Sequence, residues 1–181
     1  MSTYIALLRG INVGKAKRIP MAELRTLLTK LGYTHVATLL NSGNVVFHAA
    51  KGTPIDLALE ITSTITENLK IEVPVIVKSI NELTTIVSEN PLANEVSDLS
   101  RLLVAFVQDS AALPSLSAIE PLVVPPEQFA ICKNAAYIHC PAGILKSKAG
   151  EAMLGKFGKL ATTRNWATVL KLQALAYGSD A

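Results

Sequence analysis

The stretch "LLRGINVGKAKRIPM" gathers the residue types that hold anions. An apolar run ends at Arg9, and Gly10 and Gly14 then admit backbone conformations closed to other residues. Lys15, Lys17 and Arg18 follow directly before Pro20, which opens a helical apolar pattern. A glycine-bearing loop between a strand and a helix turns backbone N–H groups toward a helix N-terminus, whose partial positive charge favours phosphate or carboxylate. Gly10 and Gly14 would shape such a cradle, Asn12 and Asn165 would supply hydrogen bonds to the ligand, and Lys15, Lys17, Lys156 and Lys159 would add the field. The spacing is neither that of a Walker loop nor that of the dinucleotide fingerprint, and a purely structural glycine loop fits it equally well.

Two further stretches carry polar groups in suggestive order. In "NSGNVVF", Ser42 and Asn44 offer hydrogen bonds, although Asn and Gly are also ordinary hairpin-turn residues. In "SKAGEAMLGKFGKLATTRNW", Lys148 and Lys156 add charge, and Arg164 has the planar fork that clamps phosphate through two parallel bonds. Thr163 or Asn165 is placed to cap the helix that begins near Trp166, the one indole of the chain. Trp166 reads as a core anchor that fixes the helix start and thereby aims Arg164 and Asn165.

Other chemistries lack their parts. His35, His48 and His139 fall on expected strands without ligand spacing, no Ser lies in a nucleophile elbow, and Cys132 and Cys140 are not in C-x-x-C order. The basic stretches contain only Glu23 and Glu151 as acids, so a carboxylate pair for hydrolysis is missing there. No cofactor and no metal is expected, and the cysteines read as buried thiols.

The elements that must position these residues follow from periodicity. "TYIALLRG" reads as a central strand and "PMAELRTLLTKLG" as a helix with Met21, Leu24, Leu27, Leu28 and Leu31 apolar. "HVATLL" and "NVVFHA" form a hairpin across "NSGN". "TPIDLALEITSTITENL" is a helix capped at Thr53, with Ile55, Leu59, Ile61, Ile65 and Leu69 near one face, and "VPVIVKS" is a strand. That order, βαββαβ, predicts a ferredoxin-like split βαβ arrangement for residues 1–79. A helical connector is expected over 80–100. Residues 101–181 then repeat the order without residue-level identity: a strand, a short helix "PSLSAIEPL", a hairpin across Asn134, a helix over "SKAGEAMLGKFG", a strand and a final helix. The fold class is thus α+β, two ferredoxin-like sub-domains with antiparallel or mixed sheets and packed helices.

Length and composition fit this plan. The 181 residues are half hydrophobic, enough for a real core without disulfides or metals. No run approaches the roughly 18 to 20 apolar residues of a membrane helix, and the N-terminus lacks a secretory pattern. A cytoplasmic protein is expected, without membrane contact. Net charge is only +3, but residues 1–30 carry six basic side chains against one acid. Residues 141–171 do the same, while 31–140 hold five basic and eleven acidic residues.

"YIALLRGINVGKAKRIPMAELRTLLTKLGY", "LLNSGNVVF" and "ATTRNWATVLKL" together resemble the bacterial family known as domain of unknown function 1697. The resemblance implies small cytoplasmic α/β chains of two sub-domains and brings no established activity. The matching residues are Arg9, Gly10, Asn12 and Gly14; Ser42, Gly43 and Asn44; Ser147 and Lys148; and Thr163, Arg164, Asn165 and Trp166. Where the family has a second glycine after Gly14 this chain has Lys15, trading backbone freedom for charge.

These readings converge on a binding module in which the two basic stretches form a groove between the halves for a phosphate-rich ligand, nucleic acid or a nucleotide-like metabolite. Aromatics are too scarce there for base stacking to dominate. Two alternatives stay open: an enzyme using Arg, Lys and Asn as electrostatic stabilisers, and an oligomerising scaffold in which Arg164 and Asn165 are buried and bonded to the backbone.

Overall fold

A computed structural model describes residues 1–178, with the side chain of Lys156 outside the description. It divides into two units, Met1–Leu83 joined by the chain from Leu172 on, and Thr84–Lys171. The mixed α+β class is as expected, with two four-stranded antiparallel sheets. Among the described residues no helix is long and apolar enough to cross a membrane.

The first unit runs β1 (Ser2–Leu8), α1 (Met21–Lys30), β2 (Thr34–Leu39), β3 (Asn44–Ala49), α2 (Pro54–Leu69) and β4 (Val75–Ser79), and α3 (Ile80–Glu89) follows β4 directly. Its strand order is β2-β3-β1-β4, with every pair antiparallel. β1 is thus a central strand, flanked by β3 and β4, and its burial shows that both of its faces are covered. Thr3 to Leu8 are all buried.

Helix α1 buries Leu24, Leu27 and Leu28 at the spacing of one helical face. Helix α2 starts at a capping box between Thr53 and Asp56 with Pro54 in its first turn, as expected from the sequence. Its apolar stripe differs from the expected one. Leu57, Ala58, Ile61 and Ile65 are buried, whereas Ile55 and Leu59 are 51% and 63% exposed. The helix turns on its axis so that small Ala58 packs closely, and Ile55 and Leu59 fall on the opposite side. Across this core Phe47 stacks on Tyr33 and Tyr4 at centroid distances of 4.7 and 5.8 Å. The Tyr33 hydroxyl donates to Glu60 on α2, and burial with that carboxylate beside it raises the phenol's pKa.

The second unit runs β5 (Leu102–Val107), β6 (Gln128–Ile131), β7 (Ala136–His139), α4 (Lys148–Leu154) and β8 (Ala161–Asn165), and the final helix α5 (Trp166–Gly178) begins in it. Its strand order, β6-β7-β5-β8, is the same permutation as in the first unit. The short helix expected after β5 is a 3-10 helix, Ser110–Leu122, containing Pro114 and Pro121. Proline removes the N–H groups an α-helix needs there, and the buried Leu113, Leu116 and Ile119 recur every three residues, the 3-10 repeat. The helix expected over 147–158 ends at Leu154 and is followed by a 3-10 turn, Lys156–Gly158. Gly158 is required here, since a β-carbon would overlap the Met153 carbonyl oxygen.

The closest approach in the first unit lies at Gly43, between β2 and β3. Its φ is +89°, and a β-carbon there would sit 2.7 Å from Leu8 Cβ and 2.9 Å from Ile11 Cδ1. Gly43→Ala is therefore expected to cost about 2 to 4 kcal/mol, strain plus overpacking. Gly10→Ala, at φ +69° with open space around it, is expected to cost only the conformational part, about 1 to 2 kcal/mol. Urea unfolding of the two variants checks this; equal losses would mean that the contact with Leu8 carries nothing.

Candidate functional site

The loop between β1 and α1 is organised by one side chain. Asn12 adopts a left-handed backbone at φ +55°, which Asn tolerates better than most residues. Its carboxamide pairs with the peptide group of Ile19 on both sides: Nδ2 donates to the Ile19 carbonyl at 2.9 Å, and Oδ1 accepts from the Ile19 N–H at 2.8 Å. The same Nδ2 donates to the Asn41 carbonyl at 2.7 Å, and the Asn12 N–H donates to the Lys17 carbonyl at 3.1 Å. Asp lacks the donor, Gly the side chain, and Gln has one methylene too many. Only Asn meets both the backbone and the hydrogen-bond demand.

These bonds join two of the stretches singled out in the sequence. The Leu8 N–H also donates to the Gly43 carbonyl at 2.9 Å, so the "NSGN" turn packs directly against the start of the basic loop. Asn44 is fully buried, donating to the Leu39 carbonyl at 2.8 Å and to Ser42 Oγ at 2.9 Å, and so holds the turn together from inside. Ser42 itself is exposed.

The cations of this loop lie outside that frame. Lys15, Lys17 and Arg18 are exposed together with Gly14, and Arg9 is half-buried with its N–H donating to the Pro74 carbonyl at 3.0 Å. Lys17 has φ +49°, a second left-handed non-glycine residue within six positions. Asn12, Arg18, Ile19, Pro20 and Asn41 line a pocket of about 260 Å³. It opens at the start of α1, where Pro20 provides no side-chain cap, so first-turn N–H groups lack that partner. Arg18 and Asn41 belong to this pocket although neither stood among the sequence candidates. The signal for Arg18 was its place in the basic run Lys15, Lys17, Arg18 before Pro20; for Asn41 there was none, because its contribution is a carbonyl.

In the second unit, the Arg164 side chain is buried, and its Nη1 donates to the Thr163 carbonyl at 2.8 Å. Burial pulls its pKa down to about 10. Asn165 Oδ1 accepts the Thr168 N–H at 2.9 Å, which identifies Asn165 as the cap of α5. Trp166 is 5% exposed, a core anchor as expected. Ser147 caps α4 through the Gly150 N–H. Lys148 is exposed and, with Lys146, Pro125, Pro126 and Pro141, lines a separate pocket of about 380 Å³. The sequence candidate Lys156 falls outside the described side chains.

Cys140 is buried and Cys132 half-buried, and desolvation pushes both pKa values up. Among the described residues no group of three or more His, Cys, Asp or Glu side chains is gathered to hold a metal.

The family model described as "Protein of unknown function (DUF1697)" matches residues 1–137. Among solved structures, the conserved bacterial protein SP0830 from Streptococcus pneumoniae is similar over 97% of this chain and 98% of that one, with a TM-score of 0.76 and 23% identity. At that identity the likeness concerns the fold. No curated protein matches.

Asn12 separates into testable parts. Asn12→Gly keeps the left-handed backbone and loses the side-chain bonds, with an expected cost of about 1 to 3 kcal/mol. Asn12→Ala adds backbone strain of about 1 kcal/mol, and Asn12→Asp sets a carboxylate against the Ile19 and Asn41 carbonyls and is expected to be the worst of the three. Denaturant unfolding with amide exchange across residues 9–20 measures this; an Asp variant as stable as the parent would refute the pairing.

Proposed function

The chain belongs to the DUF1697 family, and from that premise we propose that it is a binding module for a phosphate-bearing ligand, nucleic acid or a nucleotide-like metabolite, with the loop between β1 and α1 as its anion-binding element. The observation that carries this reading is the fixing of an exposed basic loop by Asn12. Three cations, Lys15, Lys17 and Arg18, project from a segment whose backbone is tied at Lys17, Ile19 and Asn41. Flexible surface lysines attract anions weakly and without geometry. Cations on a tied loop, beside a helix start without a side-chain cap, act on a ligand at a defined place. The left-handed backbone at Lys17 supports the same reading, because strain of about 1 to 2 kcal/mol there persists only where the surroundings enforce it.

The scaffold reading is favoured for the other motif. Burial of Arg164 with its bond to Thr163, and the capping bond of Asn165, fit residues that build the junction of β8 and α5. In this proposal they are framework, and the ligand is met by the first unit's loop.

The test is calorimetric titration with inorganic phosphate, a nucleoside triphosphate and short single- and double-stranded nucleic acids at two salt concentrations. The comparison variant is the triple substitution Lys15→Gln, Lys17→Gln, Arg18→Gln. At least tenfold weaker binding of one ligand class is expected, with unfolding unchanged because all three side chains are exposed. For nucleic acid the salt slope should fall by roughly 0.9 per lost phosphate contact on a duplex. Asn165→Ala should lower stability by about 1 kcal/mol and leave binding alone. Failure of the parent chain to bind any of these ligands, or equal binding by the triple variant, would overturn the proposal.

A further inference from the structure

A second cluster lies at the other end of the β2–β3 hairpin. β2 is an edge strand, and its register to β3 shifts between Thr34 and Ala37, a β-bulge. Within the bulge His35 has φ +51°, an uncommon backbone for a residue with a bulky side chain. Bulges re-aim side chains, and here the His35 ring lies beside that of His48 on β3, with centroids 4.5 Å apart and planes tilted by 31°. Residues of neighbouring strands lie side by side in any sheet. A bulged residue with a left-handed backbone, its ring tilted against that of the one other histidine of the unit, calls for a reason beyond pairing.

We propose that His35 and His48 form a binding site for a divalent transition-metal ion of the copper, nickel and zinc class. Imidazole nitrogen suits these ions, with copper(II) the tightest of the divalent series. Two bonds of about 2.0 to 2.1 Å to one ion put the ligating nitrogens near 3.3 Å apart in tetrahedral geometry. Rings already 4.5 Å apart reach that by tilting together. His35 is exposed and His48 half-buried, so an ion has access from solvent.

Thr34 stands beside His35 on the side away from an ion held through Nε2. The Thr34 hydroxyl donates to Met1 Sδ at 3.3 Å and lies 3.4 Å from His35 Nδ1. In the tautomer whose Nδ1–H donates to that oxygen, the ring's lone pair is on Nε2, the atom then open to an ion. Metal-binding histidines are commonly oriented in this way by a partner on the second nitrogen. With two protein ligands the remaining coordination positions go to water or to an exchangeable group, so the site is an open one.

The experiment titrates the intact chain with Ni²⁺, Cu²⁺ and Zn²⁺ salts in turn, by calorimetry and by nuclear magnetic resonance of the imidazole protons. Only three histidines are present, so each ring can be followed. Binding of one ion is expected, with paramagnetic Ni²⁺ or Cu²⁺ broadening the His35 and His48 signals well before those of His139. His35→Asn, which tolerates the left-handed backbone, and His48→Gln should each weaken binding at least tenfold. Equal broadening of all three rings, unchanged affinity in both variants, or loss in one variant but not the other would overturn a shared ion. None of these outcomes depends on the anion-binding loop.

Discussion

The carboxamide of Asn12 must satisfy the peptide group of Ile19 and the carbonyl of Asn41 together, and the first unit is arranged around that demand. A chain leaving β1 has to cross to α1 while keeping its polar backbone groups paired, because buried peptide groups without partners cost about 1 to 3 kcal/mol each. Ile11 and Ile19 are both buried on the loop's inner side, so its backbone runs close to the core and cannot rely on water alone. Asn12 acts as a substitute strand, pairing with Ile19 as a neighbouring peptide would. The tight turn at Gly43 then follows, since any side chain there would push the hairpin away from Leu8 and Ile11.

Both units reach one strand permutation by different local means. In the first, α1 and α2 carry apolar residues at α-helical spacing, and two buried stripes cover the sheet. In the second, prolines within 110–122 enforce a three-residue repeat, and Leu113, Leu116 and Ile119 fill the corresponding place. Strand order tolerates this change because it is set by the antiparallel pairing of the central strands β1 and β5 with neighbours on both sides. The layer above needs only an apolar face of suitable width.

Most elements were legible because their periods were unambiguous. The two hairpins, α1 and the capping box of α2 each rest on local chemistry that a sequence displays. The phase of α2 was not legible: Ile55 and Leu59 are more apolar than Ala58, yet the sheet surface accepts the small residue and turns the large ones outward. Nor was the meeting of the basic loop with the "NSGN" turn: the βαββαβ order sets β3 beside β1, but the contact is made through the carbonyls of Asn41 and Gly43, which any residue type would present. The pairing of His35 with His48 was hidden for a related reason, because a one-residue bulge changes which side chains become neighbours. Arg164 shows the limit from the other side. Its type and its motif match signalled anion recognition, while its position on β8, opposite Val104 of the central strand, sets its burial.

The polar motif residues thus sort by what their side chains do. Asn12, Asn44, Ser147 and Asn165 each hydrogen-bond backbone groups that border strands or helices, and Asn44 bonds Ser42 Oγ as well. Such residues restrict a sequence as tightly as a catalytic group does, because few side chains combine the right reach with the right donors and acceptors. Charge is carried instead by Lys15, Lys17 and Arg18, whose exposure leaves them free of that constraint. Screening limits exposed charges to about 8 to 10 Å at ordinary ionic strength, so three cations within four residues act together only on a ligand that comes into contact. The framework residues set where that contact is made, and the cations set its sign. For that reason Lys15 needs no special backbone: the left-handed residues beside it are Gly14 and Lys17, and position 15 has only to point outward.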